Sequence, residues 1–353
     1  MALLDPVTDA ARVRDHGFRQ IRVSRVVPET AEASSFVLDV PTELRSDFSY
    51  KSGQFCTFRI WVDGQPYIRC YSMSSAPAVD SELRVTVKRT TGGVVSNWMN
   101  DHVAAGDLIE VARPAGFFQL RGDGDVVAFS AGSGITPVLS LIKTATAATT
   151  RPVRLLYANR DHDAIIFRGE IDALREQHAE RLAVVHHLDA ESGFVNPEEI
   201  RSFAGSSPTA QYYLCGPGPF MDVVEETLLA GGVEPLHIHI ERFTPADLLA
   251  DPEPDGGVGE AATATRVTIT LNGRTESTDH HAGTTILQTA RQMGMAPPFS
   301  CESGSCATCM AMVREGTVTM HVNNALTEDE IAEGWVLTCQ SVPTSPTIDV
   351  VYE

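Results

Sequence analysis

Ser300-Cys-Glu-Ser-Gly-Ser-Cys-Ala-Thr-Cys309 holds three of the seven cysteines of this 353-residue chain, and Cys339 lies 30 positions beyond Cys309. This spacing, C-x4-C-x2-C followed by a distant cysteine, is typical of thiolates that bind a 2Fe-2S cluster. Two bridged irons need two pairs of thiolates around a compact centre, and Gly304 lets the loop wrap that centre closely. The spacing therefore predicts a cluster held by Cys301, Cys306, Cys309 and Cys339.

Two other roles compete for these cysteines. Zinc sites usually pair their ligands in short C-x2-C clips, whereas only Cys306 and Cys309 form such a clip here. Inert core cysteines are a second alternative, but crowded free thiols would be open to oxidation without any benefit in packing. The cluster accounts for the spacing best.

The residues around the cysteines resemble a plant-type ferredoxin, an α+β domain with the β-grasp fold. Residues 267–274 alternate like a strand and enter an Asn272-Gly273 hairpin turn. Residues 284–294 have the apolar spacing of a short helix ended by Gly294, and residues 347–352 are typical of a closing strand. The resemblance covers residues 265–353 and implies a ferredoxin domain there.

Length and composition predict a multidomain globular protein. A chain of 353 residues, 43% hydrophobic and 21% charged, has material for two or three cores. It lacks both a run of about 20 apolar residues and a basic signal-peptide start, which favours a cytoplasmic protein without a membrane segment. The scattered Cys56, Cys70 and Cys215 predict no disulfide framework and hence a reducing compartment. A net charge of −19 argues against nucleic acid as a partner, and we expect a monomer.

The N-terminal third has the pattern of a small antiparallel barrel. Residues 1–16 are polar and aperiodic, which predicts a flexible tail, and short alternating runs separated by turns follow from Phe18 onward. Among them, Arg69-Cys-Tyr-Ser72 resembles the flavin-binding signature of the ferredoxin-NADP reductase superfamily. The resemblance implies that Arg69 clamps the FAD pyrophosphate, that Tyr71 lies along the flavin, and that Ser72 reaches the flavin edge where hydride arrives.

Further motifs follow in the order of that superfamily. A glycine pair, Gly92-Gly93, opens a predicted helix whose free N–H groups suit an anion. Pro114-Ala-Gly-Phe-Phe118 resembles the turn that ends the flavin barrel of the superfamily. The resemblance implies that the FAD pyrophosphate meets this helix, with these candidate residues: Lys88, Arg89, Gly93, Val94, Val95 and Ser96.

From Asp125 the pattern changes to that of a parallel α/β nucleotide-binding domain. The apolar strand 126–130 leads into Gly132-Ser-Gly-Ile-Thr-Pro137 and a helical run, which together suit the phosphates of a nucleotide. Pro137 replaces the third glycine of the Rossmann fingerprint and so favours the reductase superfamily. The candidate residues in this loop are Gly132, Gly134, Thr136 and Pro137.

The remaining α/β segments extend the nucleotide domain. Strands are predicted at 153–158, 182–187 and 211–215, and helices at 168–178 and 220–230. Cys215-Gly216-Pro217 resembles the motif that lies beside the nicotinamide in the superfamily. There, the last strand ends with a carboxylate near the flavin edge and an aromatic ring over the flavin, which implies catalytic roles for Ser72, Cys215, Glu241 and Phe243. His186, His187, His237 and His239 favour structural or exposed positions over metal binding.

The motifs divide the chain into a tail at 1–16, an FAD-binding β-barrel at 17–121, an NAD(P)-binding α/β domain at 122–243, a linker at 244–264 and a ferredoxin domain at 265–353. This order resembles the reductase components of multicomponent bacterial oxygenases, such as those of 3-ketosteroid 9α-hydroxylases and phenylacetyl-CoA epoxidases. The resemblance implies an NAD(P)H-dependent oxidoreductase that passes electrons through FAD and [2Fe-2S] to a terminal oxygenase, with a Rieske-type client favoured. A diiron oxygenase or P450 client, or a redox-sensing docking module, stays open.

The residues that follow the second strand of the nucleotide domain favour NADH over NADPH as the electron donor. The 2′-phosphate of NADPH needs cationic groups after the second strand of the nucleotide domain, where Arg160 stands. Asp161 and Asp163 flank Arg160 and offset its attraction for a phosphate dianion.

Overall fold

The computed structural model describes residues 18–243 and 265–352, apart from Asn272, Ala282, Ala296, Ser300, Ser303, Ser305 and Asn324. The described residues divide between two compact units that part near residue 250. The predicted tail at 1–16, the predicted linker at 244–264 and Asn272 of the predicted hairpin turn lie outside the described residues. No helix among the described residues is long and apolar enough to cross a membrane.

The first part of the larger unit is the predicted antiparallel barrel. Its six strands hydrogen-bond in the order β4-β3-β6-β1-β2-β5, and a bridge between Met73 and Val85 joins the two ends. Inward-facing aliphatic and aromatic side chains, including Phe36 and Phe58, fill its core because alternate residues of each strand face inward. The elements are β1 (Arg19–Thr30), β2 (Ala33–Asp39), β3 (Phe55–Val62), β4 (Gln65–Ser72), β5 (Leu83–Lys88), α1 (Val94–His102) and β6 (Leu108–Val111).

The second part of the larger unit is the predicted α/β domain. Five parallel strands lie in the order β11-β10-β7-β8-β9, with buried apolar clusters on both faces as parallel sheets require. The sequence pattern predicts all five strands but not the short helices α4 and α5. The elements are β7 (Val126–Ala131), α2 (Ile135–Ala148), β8 (Val153–Asn159), α3 (Arg168–Gln177), β9 (Leu182–Leu188), α4 (Asp189–Ser192), α5 (Pro197–Ala204), β10 (Gln211–Gly216), α6 (Gly218–Ala230) and β11 (Ile238–Arg242).

Polar contacts fasten the barrel to the α/β domain. The Lys143 ammonium of α2 lies 2.5 Å from Asp80 of the barrel and 2.6 Å from Glu170 of α3. Arg84 of β5 also pairs with Glu170, at 2.7 Å, and the Ser140 hydroxyl donates to the Ser75 carbonyl at 2.5 Å. We call Asp80, Arg84, Lys143 and Glu170 the interdomain ion cluster. Because the Lys143 side chain is only 7% exposed, the two carboxylates replace much of the solvation that its ammonium group loses on burial.

The smaller unit has the expected α+β fold. A five-stranded mixed sheet runs β13-β12-β18-β14-β16, and β15 pairs with β17 beside it. The predicted hairpin is present as the antiparallel pair β12 and β13, and Gly294, at φ 69°, follows α7 as predicted. The elements are β12 (Arg266–Leu271), β13 (Arg274–Asp279), α7 (Ile286–Gln292), β14 (Met310–Glu315), β15 (Val318–Met320), α8 (Glu328–Ala332), β16 (Trp335–Leu337), β17 (Ser341–Pro343) and β18 (Thr347–Val351).

Candidate cofactor sites

The predicted flavin motif lies at the end of β4. The Tyr71 ring packs edge-on against Phe58, with the centroids 5.5 Å apart, and burial raises the pKa of the Tyr71 phenol. Ser72 is buried, and its hydroxyl has no hydrogen-bond partner among the described residues. An unsatisfied buried hydroxyl costs free energy unless a ligand completes its bonding, so its place in the motif fits a flavin. Arg69 donates one bond, to the neighbouring carbonyl of Ile68 at 2.9 Å.

The predicted anion-binding helix begins at Gly93. No side chain caps its first turn, so the N–H groups of Val94, Val95 and Ser96 are available to an anion, which fits the FAD pyrophosphate. A Cβ at position 93 would crowd the Ser96 hydroxyl, at 2.7 Å, which accepts a hydrogen bond from the Thr90 backbone N–H. The Val95 side chain is buried in the barrel core, so only its backbone faces a ligand.

Arg89 and Lys88 have different surroundings. The Arg89 guanidinium is committed to Asp101 of α1, at 2.6 Å, and to the Asn97 carbonyl, so it braces α1. The Lys88 ammonium lies 3.4 Å from the point that a Cβ on Gly132 would occupy. Burial, and then the charge of Arg160, lowers the pKa of Lys88. A barrel strand thus delivers a cation to the glycine loop of the nucleotide domain, which sequence position alone did not indicate.

The glycine loop at 132–134 packs against the end of β10. Gly132 has φ 52°, and a Cβ on Gly134 would lie 2.0 Å from the Cys215 carbonyl oxygen. A Cβ on Gly216 would likewise meet the Ala131 and Phe220 side chains at 3.0 Å. The structure therefore brings together the two nucleotide motifs, 132–137 and 215–217, at the carboxyl edge of the parallel sheet, where open α/β sheets bind ligands.

Other polar groups at this edge support the loop. The Tyr157 hydroxyl donates to the Gly132 carbonyl at 3.0 Å, and the Thr136 hydroxyl donates to the Ser133 carbonyl at 2.9 Å. The Ser130 hydroxyl, at the end of β7, is buried without a partner among the described residues. The motifs in the sequence do not indicate Tyr157 and Ser130, although both lie on strands that lead into this edge.

The remaining nicotinamide candidates lie at the ends of β10 and β11. Cys215 is fully buried and stands opposite Glu241 in the parallel register. Burial, reinforced by the Glu241 charge, raises the pKa of the Cys215 thiol, which therefore stays protonated. Phe243 follows β11 and is 38% exposed, a large apolar side chain open to a ligand.

Arg160 follows β8 as predicted but is paired. Its Nε donates to Asp161 at 2.7 Å, and the other carboxylate oxygen of Asp161 accepts from the Ala164 amide at 3.0 Å. The hydrogen bond from Arg160 lowers the pKa of Asp161. Asp161 thus holds both the turn and the guanidinium.

Three of the predicted cluster cysteines, Cys301, Cys306 and Cys309, lie on the loop that precedes β14. Cys339 lies between β16 and β17. The Cys301 amide donates to the Cys306 sulfur at 3.4 Å, which groups these two. Cys309 and Cys339 are buried neighbours: a hydrogen bond from the Cys309 thiol lowers the pKa of Cys339 and raises that of Cys309. Two thiol pairs fit a two-iron centre, and no described group of three or more metal-binding side chains is gathered tightly enough for one ion.

Hydrogen bonds and a closely packed glycine fix the backbone around the cluster cysteines. The Thr338 hydroxyl donates to the Cys309 carbonyl at 2.8 Å and accepts from Tyr352 at 2.9 Å. Gly304 has φ 74°, and a Cβ there would stand 2.6 Å from the Val322 carbonyl oxygen. Glycine is thus required where the loop passes the backbone beyond β15.

Comparison with known proteins identifies three types of domain along the chain. The chain matches three family models in succession: an oxidoreductase FAD-binding domain at residues 20–120, an oxidoreductase NAD-binding domain at 129–226, and a 2Fe-2S iron-sulfur cluster binding domain at 269–344. It is therefore an oxidoreductase that combines FAD, NAD and [2Fe-2S] in one polypeptide.

Relatives match over nearly the whole chain. The ferredoxin reductase component of 3-ketosteroid-9-alpha-monooxygenase from Rhodococcus rhodochrous is 38% identical over 96% of this chain and 98% of its own. One of the polypeptides of 1,2-phenylacetyl-CoA epoxidase from Escherichia coli is 32% identical over 95% of this chain and 97% of its own. Phthalate dioxygenase reductase shares the fold, with a TM-score of 0.59 and 24% identity over 95% of this chain and 98% of that one. The chain belongs to the family of three-domain oxygenase reductase components, which confirms the resemblance found in the sequence.

Proposed function

We propose that this chain takes hydride from NADH and delivers electrons singly to a terminal oxygenase, with a Rieske-type 3-ketosteroid 9α-hydroxylase as the favoured client. The observation that carries the proposal is the union of the FAD, NAD and [2Fe-2S] domains in a chain that is 38% identical to the Rhodococcus relative over nearly its whole length. Nicotinamide yields two electrons together, whereas a 2Fe-2S cluster accepts one, and FAD converts between the two. Three such domains in one chain supply that conversion.

On the flavin side, the barrel residues bind and orient. Arg69 neutralises the FAD pyrophosphate together with the uncapped N–H groups at Gly93–Ser96, Tyr71 lies along the ring system, and Ser72 donates its unsatisfied hydroxyl to the ring edge. The support is the buried Ser72 hydroxyl and the open first turn of α1. Ser72→Ala is expected to slow flavin reduction by NADH while FAD stays bound, as measured by stopped-flow absorbance.

On the nucleotide side, Gly132, Gly134, Thr136 and Pro137 shape the loop that receives the pyrophosphate, and Lys88 adds a cation to it. Gly216 and Pro217 are compact residues at the end of β10, and so leave space there for the nicotinamide. Cys215, protonated by burial, borders the nicotinamide as a neutral wall beside Glu241.

With FAD bound, the Phe243 ring would cover the flavin and exclude water from it until the nicotinamide takes that place. Its exposed ring at the end of β11 supports this role. Phe243→Ala should change NADH affinity and hydride-transfer rate together, and unchanged values of both would remove Phe243 from the site.

NADH is the proposed donor. The ion pair of Arg160 with Asp161 leaves the guanidinium little attraction for a 2′-phosphate. Steady-state rates with both nucleotides test the preference: a kcat/KM at least tenfold higher for NADPH, about 1.4 kcal/mol, would contradict it.

Reconstitution tests the client. The holoprotein and NADH are combined separately with a 3-ketosteroid 9α-hydroxylase oxygenase, a diiron epoxidase or a P450, and the oxygenated product is counted against NADH consumed. Coupled turnover with the Rieske oxygenase supports the proposal, whereas coupling only with another client reassigns the partner. Partner binding without NADH-driven reduction would instead indicate a docking module.

We also propose a cytoplasmic monomer without nucleic-acid partners, in keeping with the net charge of −19. Light scattering of the holoprotein tests the oligomeric state, and a mass twice that of the chain would contradict it.

A further inference from the structure

The cluster loop contains a strained non-glycine residue. Glu302, directly after Cys301, has φ 47° in the left-handed region. Side chains at such angles cost about 1 kcal/mol or more, and they persist where surrounding contacts fix them. The contacts of Glu302 therefore decide whether the backbone beside Cys301 keeps this conformation.

The Glu302 side chain is gripped by Arg291 at the end of α7. The guanidinium donates to both carboxylate oxygens, at 2.9 and 3.2 Å, and its carbon lies 3.7 Å from the centre of the Phe299 ring. The Arg291 side chain is 13% exposed and the Glu302 side chain 30% exposed. A two-pronged bond combined with stacking on an aromatic ring fixes the guanidinium more firmly than an exposed ion pair does.

A second contact fixes the Glu302 backbone. The side-chain amide of Gln340, the residue after Cys339, donates a hydrogen bond to the Glu302 carbonyl at 2.6 Å. The residue after the first cluster cysteine is thus tied through its side chain to α7 and through its carbonyl to the segment that carries the fourth cysteine.

We propose that Arg291 is a positioning residue for the iron-sulfur cluster: through Glu302 it holds the left-handed turn that orients Cys301, and so slows release of the cluster. The proposal rests on cluster binding by the four cysteines. If the wild-type protein holds no iron or sulfide, cluster binding itself fails, whereas wild-type behaviour in the variants below overturns only the role of Arg291.

The smaller unit supplies a matched control. Arg274 and Glu276 of β13 form an ion pair of the same chemistry, but their side chains are 58% and 35% exposed and lie on a strand without cluster cysteines. Exposed pairs contribute little to stability. Arg274→Gln should therefore release the cluster at the wild-type rate.

The experiment follows bleaching of the visible cluster absorbance in the full-length holoprotein under anaerobic conditions with excess EDTA. Arg291→Gln and Glu302→Ala are expected to release the cluster about tenfold faster than wild type, and the double variant no faster than the quicker single variant because the two groups act together. Arg291→Lys keeps the charge without the fork and should fall between Arg291→Gln and wild type.

The backbone part of the proposal has its own test. Glycine adopts positive φ without strain, so Glu302→Gly should release the cluster more slowly than Glu302→Ala although both lack the carboxylate. The electron paramagnetic resonance signal of the reduced cluster should also shift in Arg291→Gln and not in Arg274→Gln. Equal rates for the glycine and alanine variants, or equal behaviour of the two arginine variants, would overturn the proposal. Should Arg291→Gln fail to fold, Arg291→Lys and Glu302→Gly still decide it.

Discussion

The glycine loop at 132–134 and the cluster loop at 301–309 both need backbone at positive φ, but only the cluster loop also places residues with side chains there. Gly132 adopts φ 52° without strain, and Gly134 is bare because the Cys215 carbonyl lies against it. The cluster loop uses Gly304 at φ 74° and, in addition, places Glu302 and Ala307 at φ 47° and 56°. Glycine is obligatory where a neighbouring backbone approaches closely. A residue with a side chain is tolerated where contacts from other segments hold the turn, as Arg291 does through the Glu302 carboxylate.

The largest effect should come from removing a cluster ligand. Cys306→Ser is expected to abolish electron delivery to one-electron acceptors such as cytochrome c, because the loop then lacks one of the four thiolates that the cluster requires. Reduction of the bound flavin by NADH should continue at close to the wild-type rate, as measured by stopped-flow. Loss of both activities together would show that the two loops do not act separately.

A methyl group in the glycine loop should have the next largest effect. Gly134→Ala places a Cβ against the Cys215 carbonyl, and forcing the two backbones apart costs about 1–3 kcal/mol. Reduction of flavin by NADH should fall by at least tenfold, with a lower melting temperature. Gly169→Ala is the control, since nothing lies within 4 Å of a Cβ there. Wild-type activity of Gly134→Ala would show that the loop is not tightly packed.

Removing the cation at the glycine loop should have a moderate effect. Lys88→Met is expected to raise the KM for NADH about tenfold, because one charged hydrogen bond to phosphate is worth about 1.5 kcal/mol, with little change in FAD content. Lys51→Met, at an exposed position, should leave the KM unchanged. Loss of FAD from Lys88→Met would instead assign Lys88 to the flavin pyrophosphate.

The smallest effect should come from relieving strain in the cluster loop. Ala307→Gly removes the cost of φ 56°, but it also adds freedom to the unfolded chain. The two terms offset, so the free energy of unfolding should change by less than about 1 kcal/mol. Denaturant titration of the holoprotein measures it. A large loss of stability would mean that the Ala307 methyl group itself packs against the cluster site.

Much of this arrangement follows from local sequence. Strands such as Val126–Ala131 are continuous apolar runs, and the cluster cysteines and the Gly132–Pro137 motif are set by spacing within a few residues. These features depend on nearby residues alone, so each was found before the fold was known.

Contacts between residues that are far apart in the sequence could not be predicted from it. Lys88 is the last residue of barrel strand β5, and nothing in the adjacent sequence indicates that it meets a glycine loop 44 residues later. The Arg291–Glu302 pair depends on where α7 ends relative to the cluster loop, and Tyr157 reaches Gly132 only because β8 lies beside β7. Sequence separation hides such contacts because the chain must fold before they exist.

The interdomain ion cluster sets a rule for building chimeras. Lys143 and Glu170 belong to the α/β domain, while Asp80 and Arg84 belong to the barrel, so a graft of either domain from a relative divides the four charges. A barrel donor without Asp80 would leave the largely buried Lys143 ammonium with Glu170 as its one partner in this cluster, and an α/β donor without Glu170 would leave Arg84 without its carboxylate. The FAD and NAD(P) domains therefore have to be transplanted together, or with all four residues restored.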